Sequence, residues 1–349
     1  MKINYVSTLA LNSSLRAGTL QKQSELATLQ TEISSGKKAD LGRELGAFSS
    51  RVVSLDSQIA ELEQIEVTNS FAKGRFSTLQ NGIAAIVESS DNFIGQITTE
   101  LTASLNRELL TTVANSAIGT LQSTLNATLN GEYVFSGINT ASSALVDYNG
   151  PDGAAAKAAV QNAFTAHFGF TQNDPLAAGI STADLQVFID GPFAQLFDDA
   201  NWSALWSNSS DQGVKSKISP QELVESPTTA TATAFRDATA AAVLISEFAE
   251  SAINESTLDS LSRTSIEKAA EAVGKLGEEQ SKIGVLEGRV EAADERLSFQ
   301  RDLLRNQLSA TTDIDAFEAA TRLNQLTASL EASYAVTARI QSLSLLNFI

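Results

Sequence analysis

Residues 276–308 read LGEEQSKIGVLEGRVEAADERLSFQRDLLRNQL, and their spacing decides the fold. Within and just ahead of them, Ile266, Val273, Leu276, Ile283, Leu286, Val290, Leu297, Leu304 and Leu308 recur mostly at three, four or seven residues. Acids and bases fill the gaps, as in Glu287-Gly288-Arg289 and Asp294-Glu295-Arg296. An α-helix brings positions so spaced onto one face, so the stretch reads as a coiled-coil-like seam with solvated flanks. A single helix of this length cannot cover its own stripe and needs a partner.

The other end of the chain offers one. Leu26, Leu29 and Ile33 recur at helical spacing, as do Leu55, Ile59 and Leu62, then Phe76, Leu79, Ile83 and Ile86. Ile94, Ile97, Leu101, Leu105 and Leu109 continue the stripe, and Leu121, Leu125 and Leu129 end it. If residues 50–130 are mainly helical, even with a break, they extend on the order of 100 Å. After the opening seam the pattern resumes with Leu323, Leu326 and Leu330, then Val336, Ile340 and Leu343. All five prolines (Pro151, Pro175, Pro192, Pro220 and Pro227) lie between the two flanks, which are thus free of the strongest helix breaker.

The expected fold is therefore mainly α. Both chain ends form an elongated antiparallel helical rod, coiled-coil-like, with a small mixed, β-containing insert. The expected divisions are a terminal helical polymerisation domain at 1–45 and 305–349, a helical rod domain at 46–137 and 250–304, and a variable insert at 138–249. Ser35-Gly36 marks an early helix stop, followed by a glycine-containing link from Ala39 to Gly46. Asn130-Gly131 suits a C-cap after the last stripe residue, and Glu132-Tyr133-Val134-Phe135-Ser136 then alternates with β-favouring types. Within the insert, Leu185-Gln186-Val187-Phe188-Ile189 alternates like a strand ending at Asp190-Gly191-Pro192. Gly74, Gly82 and Gly95 inside the long helical stretch have two readings: tolerated breaks, or close approach of a neighbouring element.

Bulk composition narrows the function. A chain of 349 residues, 43% hydrophobic and 19% charged, is a folded protein long enough for two or three domains. Its 41 acids against 24 bases give a charge of −17, which repels phosphate backbones and anionic lipid, so neither nucleic acid nor membrane is an expected partner. The absence of cysteine rules out disulfides and thiolate metal sites. The N-terminal residues are interrupted by Asn4, Ser7 and Asn12 and lack the apolar run of a cleavable secretory signal. No apolar run approaches the ~18 residues of a membrane span.

No constellation suits catalysis. His167 is the only histidine, and structural or surface duty is its expected role. Asp198-Asp199 lacks EF-hand spacing and reads as a solvated turn. Glu61-Leu62-Glu63 and Glu278-Glu279 read as solvated flanks, and Lys37-Lys38 is too small a basic patch for nucleic acid. Trp202 and Trp206, with Phe193 and Phe197, read as a domain core, with a carbohydrate- or subunit-facing surface as the sharper alternative. His-Glu-x-x-His, Walker A, Gly-x-Gly-x-x-Gly and Gly-x-Ser-x-Gly are all missing from the sequence. The expectation is no enzyme, no cofactor and no metal.

The ends also carry family features. Ser34-Ser35-Gly36-Lys37 after a leucine-striped helix resembles the Ser-Ser-Gly turn of bacterial flagellins and hook-associated proteins. Gly131-Glu132-Tyr133-Val134-Phe135-Ser136-Gly137 is similar to the Gly-x-Tyr-x-Phe-x-Gly segment of hook-associated protein 3, the hook-filament junction protein. Ile283-Gly284, Arg289 and Arg296-Leu297 resemble the C-terminal rod of that family. Glu318-Ala319-Ala320-Thr321-Arg322-Leu323-Asn324-Gln325 and the closing Ser342-Leu343-Ser344-Leu345-Leu346-Asn347-Phe348-Ile349 resemble its terminal helix. The likeness covers about 1–137 and 250–349. One departure is Ala39-Asp40-Leu41-Gly42-Arg43, where the family commonly has a Pro-Ser-Asp-Asp-type stretch.

The resemblance implies a structural, motility-related subunit of the flagellar axial structure, secreted by the flagellar type III route. It implies terminal helices that fold on assembly and a cytosolic export chaperone that covers the C-terminal helix. Its expected partners are copies of itself, an adjacent hook-associated protein and flagellin. The expected polymerisation residues are Leu9, Leu26, Leu29, Ile33, Leu323, Leu326, Leu330, Ile340, Leu343 and Leu346. Ser35, Gly36, Gly131, Tyr133, Phe135, Gly137, Arg322 and Asn324 carry the family motifs. A junction subunit is the first reading and a filament-forming flagellin the second. A hydrolase on a coiled-coil stalk and an intracellular coiled-coil scaffold stand further off.

Overall fold

The computed structural model describes residues 8–103 and 105–346. In chain order its elements are α1 (Thr8–Ser35), α2 (Leu41–Leu45), α3 (Ser49–Thr102), α4 (Arg107–Leu125), β1 (Thr128–Leu129), β2 (Glu132–Tyr133), α5 (Ala154–Phe168), α6 (Thr182–Phe188) and α7 (Asp199–Asn201). They continue with β3 (Lys215–Ser219), β4 (Glu222–Glu225), α8 (Thr233–Phe248), α9 (Glu255–Thr312) and α10 (Ala316–Leu346). The protein is mainly α, with two antiparallel two-stranded sheets among the described residues. Its contacts divide it into two units, residues 1–63 with 298–349 and residues 64–297. Helices α3 and α9 contribute to both.

In the terminal unit α1 packs against α10. The beginning of α3 buries Val52, Leu55, Ile59 and Leu62, as its stripe required. Arg305 of α9 pairs with Glu63 of α3 on the exposed side.

The larger unit has one contiguous apolar core, from Ala72 on α3 through the middle of the chain to Ala293 on α9. Helices α3 and α9 run antiparallel, with Asn69 Nδ2 donating to Asp294 Oδ1 at 2.6 Å and Gln80 Nε2 to the Gln280 carbonyl at 2.9 Å. Leu276, Ile283, Val290 and Leu297 are buried as the seam predicts. On α4 the buried face is Leu110, Val113, Ala114, Ala117, Ile118, Leu121 and Leu125.

The break between α3 and α4 resets the helical phase. Leu105 falls in the link, still packed against the core, and Leu109 is turned outward, so the helical stripe of α3 ends at Leu101. Asn106 starts the new helix by accepting the Leu109 N–H on its side chain.

Helix α8 is buried almost all round, from Ala238 to Ile245. It packs against α4 with Cα atoms within 8 Å. Both helices bury alanines, Ala114 and Ala117 on one and Ala234, Ala238, Ala241 and Ala242 on the other. Small side chains permit that approach.

Three further expectations need correction. Asn130-Gly131 is not a helix C-cap. Helix α4 has already ended at Leu125, and Leu129 lies in β1. Asn130 (φ 54°) and Gly131 (φ 86°) form the two-residue turn of the β1–β2 hairpin, where two left-handed residues match the strand twist.

Residues 185–189 are not a strand either. Ser181 accepts the Asp184 N–H at 3.1 Å and its hydroxyl donates to the Asp184 carboxylate at 2.7 Å, a capping pair that starts α6. Finally, Glu279 is buried rather than solvated, accepting the Thr228 hydroxyl at 2.5 Å and pairing with Lys282 at 2.6 Å.

The interior glycines separate cleanly. A Cβ on Gly82 would lie 2.8 Å from the Phe135 ring, so this glycine marks a close approach. Gly95 faces open space and is merely tolerated, and Gly74 would make ordinary contact with Leu129.

Candidate functional site

Two regions gather the residues singled out from sequence. The first is the α1–α10 pair in the terminal unit. Polar ties cross the pair: Lys22 Nζ donates to the Ser329 hydroxyl at 2.5 Å and the Ser333 hydroxyl at 3.3 Å, and Gln23 donates to the Tyr334 hydroxyl at 2.5 Å. These ties sit beside the apolar stripe, where the leucine pattern gave no hint of them.

Leu29 and Leu330 are buried. Leu26, Leu323, Leu326 and Ile340 are half-buried, and Ile33 is 39% exposed. Leu9, Leu343 and Leu346 belong to helices, but their side chains lie outside the described residues. Leu20, Phe317, Tyr334 and Val336 add further exposed apolar surface, Phe317 at 88%. Apolar area left open on this scale favours burial against another surface.

The Ser35-Gly36 turn braces this pair. Gly36 takes φ +74°, and its N–H donates to the Glu32 carbonyl at 2.8 Å, ending α1 in the left-handed conformation that glycine adopts without steric cost. The Ser35 hydroxyl accepts the Lys37 N–H at 3.2 Å. The turn is then tied to the α9–α10 link, with Ile314 N donating to the Gly36 carbonyl at 3.1 Å and Lys38 N to the Thr312 carbonyl at 2.9 Å. Buried Glu32 accepts the Ala39 N–H at 3.0 Å and holds the departing link. Arg322 lines a shallow cleft of about 200 Å³ with Glu25, Glu32, Asp40, Arg43 and Leu326, whereas Asn324 is simply exposed.

The second region is Gly131–Gly137 in the larger unit, which acts as a clamp. Phe135 is fully buried, nests against Gly82 and meets Phe235 of α8 edge-on at 5.7 Å. Arg75 of α3 donates to the carbonyls of Tyr133 at 3.3 Å and Val134 at 3.0 Å, and faces Glu132 at 3.6 Å. Burial lowers the Arg75 pKa from its ordinary value and Glu132 opposes that shift.

The Ala230 N–H donates to the Phe135 carbonyl at 2.8 Å, and the Ser210 N–H to the Ser136 carbonyl at 3.1 Å. Gly137 combines φ +62° with a position where a Cβ would sit 2.6 Å from the Ser210 carbonyl oxygen. The segment thus ties α3, α8 and the middle of the chain together.

The remaining candidates have structural partners. His167 is exposed, with Phe168 edge-on at 4.6 Å. Asp198 caps Asn201, and Asp199 pairs with Arg236 at 2.6 Å. Trp202 and Trp206 are buried and stacked at 5.9 Å, as the core reading requires. Among the described residues, no three or more His, Cys, Asp and Glu side chains gather as metal ligands, and no helix is long and apolar enough to cross a membrane.

Fold and site together define a mainly helical structural protein closed by the pairing of its two chain ends. Residues 6–140 match the model of the bacterial flagellin N-terminal helical region, and residues 266–349 match that of the bacterial flagellin C-terminal helical region. The chain belongs to the family of flagellins and hook-associated proteins, structural subunits of the flagellar axis that assemble with one another outside the cell.

A solved structure from Vibrio parahaemolyticus, described as a flagellar hook-associated protein, superposes with a TM-score of 0.52. It is 12% identical, over 78% of this chain and 100% of that one, so the likeness speaks for the fold. No curated protein matches the chain.

Proposed function

We propose that this subunit joins hook to filament, polymerising through its terminal helices with an adjacent hook-associated protein on one side and flagellin on the other. The observation that carries the assembly part is the half-open apolar face of the α1–α10 pair, from Leu20, Leu26 and Ile33 to Leu323, Leu326 and Val336. Striped helices of this kind gain stability mainly by burial, so folding of the ends coupled to assembly would restrain premature polymerisation. The preference for the junction rests on Gly131–Gly137, whose Tyr133 and Phe135 resemble the junction protein. It also rests on the closing Leu346-Asn347-Phe348-Ile349, of which residues 347–349 lie outside the described part. Filament-forming flagellin is the second reading, because it shares both ends.

We further read 138–249 as the variable insert, with export by the flagellar type III apparatus and a cytosolic chaperone on α10. Labelling the chain along isolated flagella tests the central claim. A single band at the hook–filament boundary is expected, and label along the whole filament would transfer the protein to the second reading. Long homopolymers grown from purified monomer on filament seeds would do the same.

A further inference from the structure

The β3–β4 hairpin rests on the helices through a small apolar face and a few polar contacts. Only Ile218 and Val224 of its side chains are buried, while Leu223 points outward, 64% exposed. A two-stranded hairpin with so small an apolar face is marginal alone, so its seat has to supply the rest. The seat is imperfect. Asn69 of α3 is fully buried there, its Nδ2 donating to the Ile218 carbonyl at 3.1 Å and to Asp294, while its Oδ1 finds no partner. Exchanging the two amide atoms would not help, because both neighbours of Nδ2 are acceptors. A buried acceptor left unmatched weakens the seat.

The two ends of the hairpin are fastened differently. Its base is clipped, with Ser226 N donating to the Val214 carbonyl at 2.9 Å and Gly213 N to Glu225 Oε1 at 2.9 Å. Its tip is held by Glu222. One carboxylate reaches Arg289 at 2.8 Å and Arg296 at 3.5 Å, two guanidinium groups seven residues apart on one face of α9. All three side chains are accessible to water, so salt screens this contact.

We propose that β3–β4 is a strap hinged at its base and latched at its tip by Glu222 across Arg289 and Arg296, with ionic strength setting how often it lifts. When lifted, it uncovers Asn69 and frees both guanidinium groups for another carboxylate; lowered, Glu222 occupies them. Local opening of a weakly seated element at much lower cost than global unfolding is a general property of folded chains.

Hydrogen exchange followed by mass spectrometry on the full chain tests this. In Glu222→Gln, amides of residues 215–225 are expected to exchange about fivefold faster than in the parent, the ratio a surface ion pair supplies. Those of α8 should be unchanged. The double variant Arg289→Gln with Arg296→Gln should match it. Raising sodium chloride should speed exchange of 215–225 in the parent more than in either variant and so narrow the gap between them. Equal exchange of 215–225 in all three proteins, a parent indifferent to salt, or loosening that extends into α8 would each overturn the strap.

Discussion

Gly82, Gly95 and Gly137 look alike in the sequence and differ entirely in what surrounds them. Gly95→Ala fills open space on a helix and is expected to raise stability by about 1 kcal/mol in urea denaturation. Gly82→Ala drives a methyl into the Phe135 ring and should cost about 1–3 kcal/mol. Gly137→Ala adds left-handed strain to a backbone collision and should cost more than Gly82→Ala. Tyr148 sets a pH dependence. Its ring stacks on Trp206 at 5.3 Å, and burial raises its pKa, with the negative charge of Glu247 pushing the same way. A proton held more tightly in the folded than in the unfolded chain stabilises fully below the ordinary tyrosine pKa of about 10 and progressively less above it. The denaturation midpoint of the parent should therefore fall from pH 9 to 11 more steeply than that of Tyr148→Phe, which keeps the stacked ring.

At the level of elements, α4 and α8 depend on one side chain at their ends. Arg107, at the start of α4, donates to the carbonyls of Ala249 at 2.8 Å, Ser251 at 2.9 Å and Ile253 at 2.7 Å, where α8 has just ended. Arg107→Ala leaves three carbonyls without their donor and is expected to cost about 2–4 kcal/mol, with faster hydrogen exchange at 249–253. Arg107→Lys should recover only part, because one ammonium cannot span three acceptors in a fork. Stripes predicted α3 and α9 because they persist for dozens of residues. The short element α6 reads as a strand because Leu185, Val187 and Ile189 alternate, although Ser181 and Asp184 carry its helix start signal. Helix α8 is buried on nearly every face, so the core around it sets its partners.

For the whole molecule, the division into two units gives an assembly test. Leu330 is buried and Leu326 half-buried in the terminal unit, and neither belongs to the core of residues 64–297. Leu326→Asp with Leu330→Asp is expected to abolish incorporation into flagella, scored by co-sedimentation. The protease-resistant fragment covering the larger unit and its helical circular dichroism should survive. Loss of that fragment would mean the chain ends also hold the core together. The same division bears on the middle of the chain: α8 and Phe135 share one core with α3, α4 and α9, so residues 138–249 are not a detachable ornament on the helices.

By itself the sequence determined the mainly helical class, the antiparallel pairing of the two ends and the family. Each of these depends on period and order along the chain, which a string of residues records in full. Tertiary structure decided which glycines are required, that Glu279 is buried, and that Phe135 locks onto Gly82 and α8. Those outcomes depend on which distant residues meet across a packed interior, where a misfit of one methyl group costs energy, and local spacing carries no record of such neighbours.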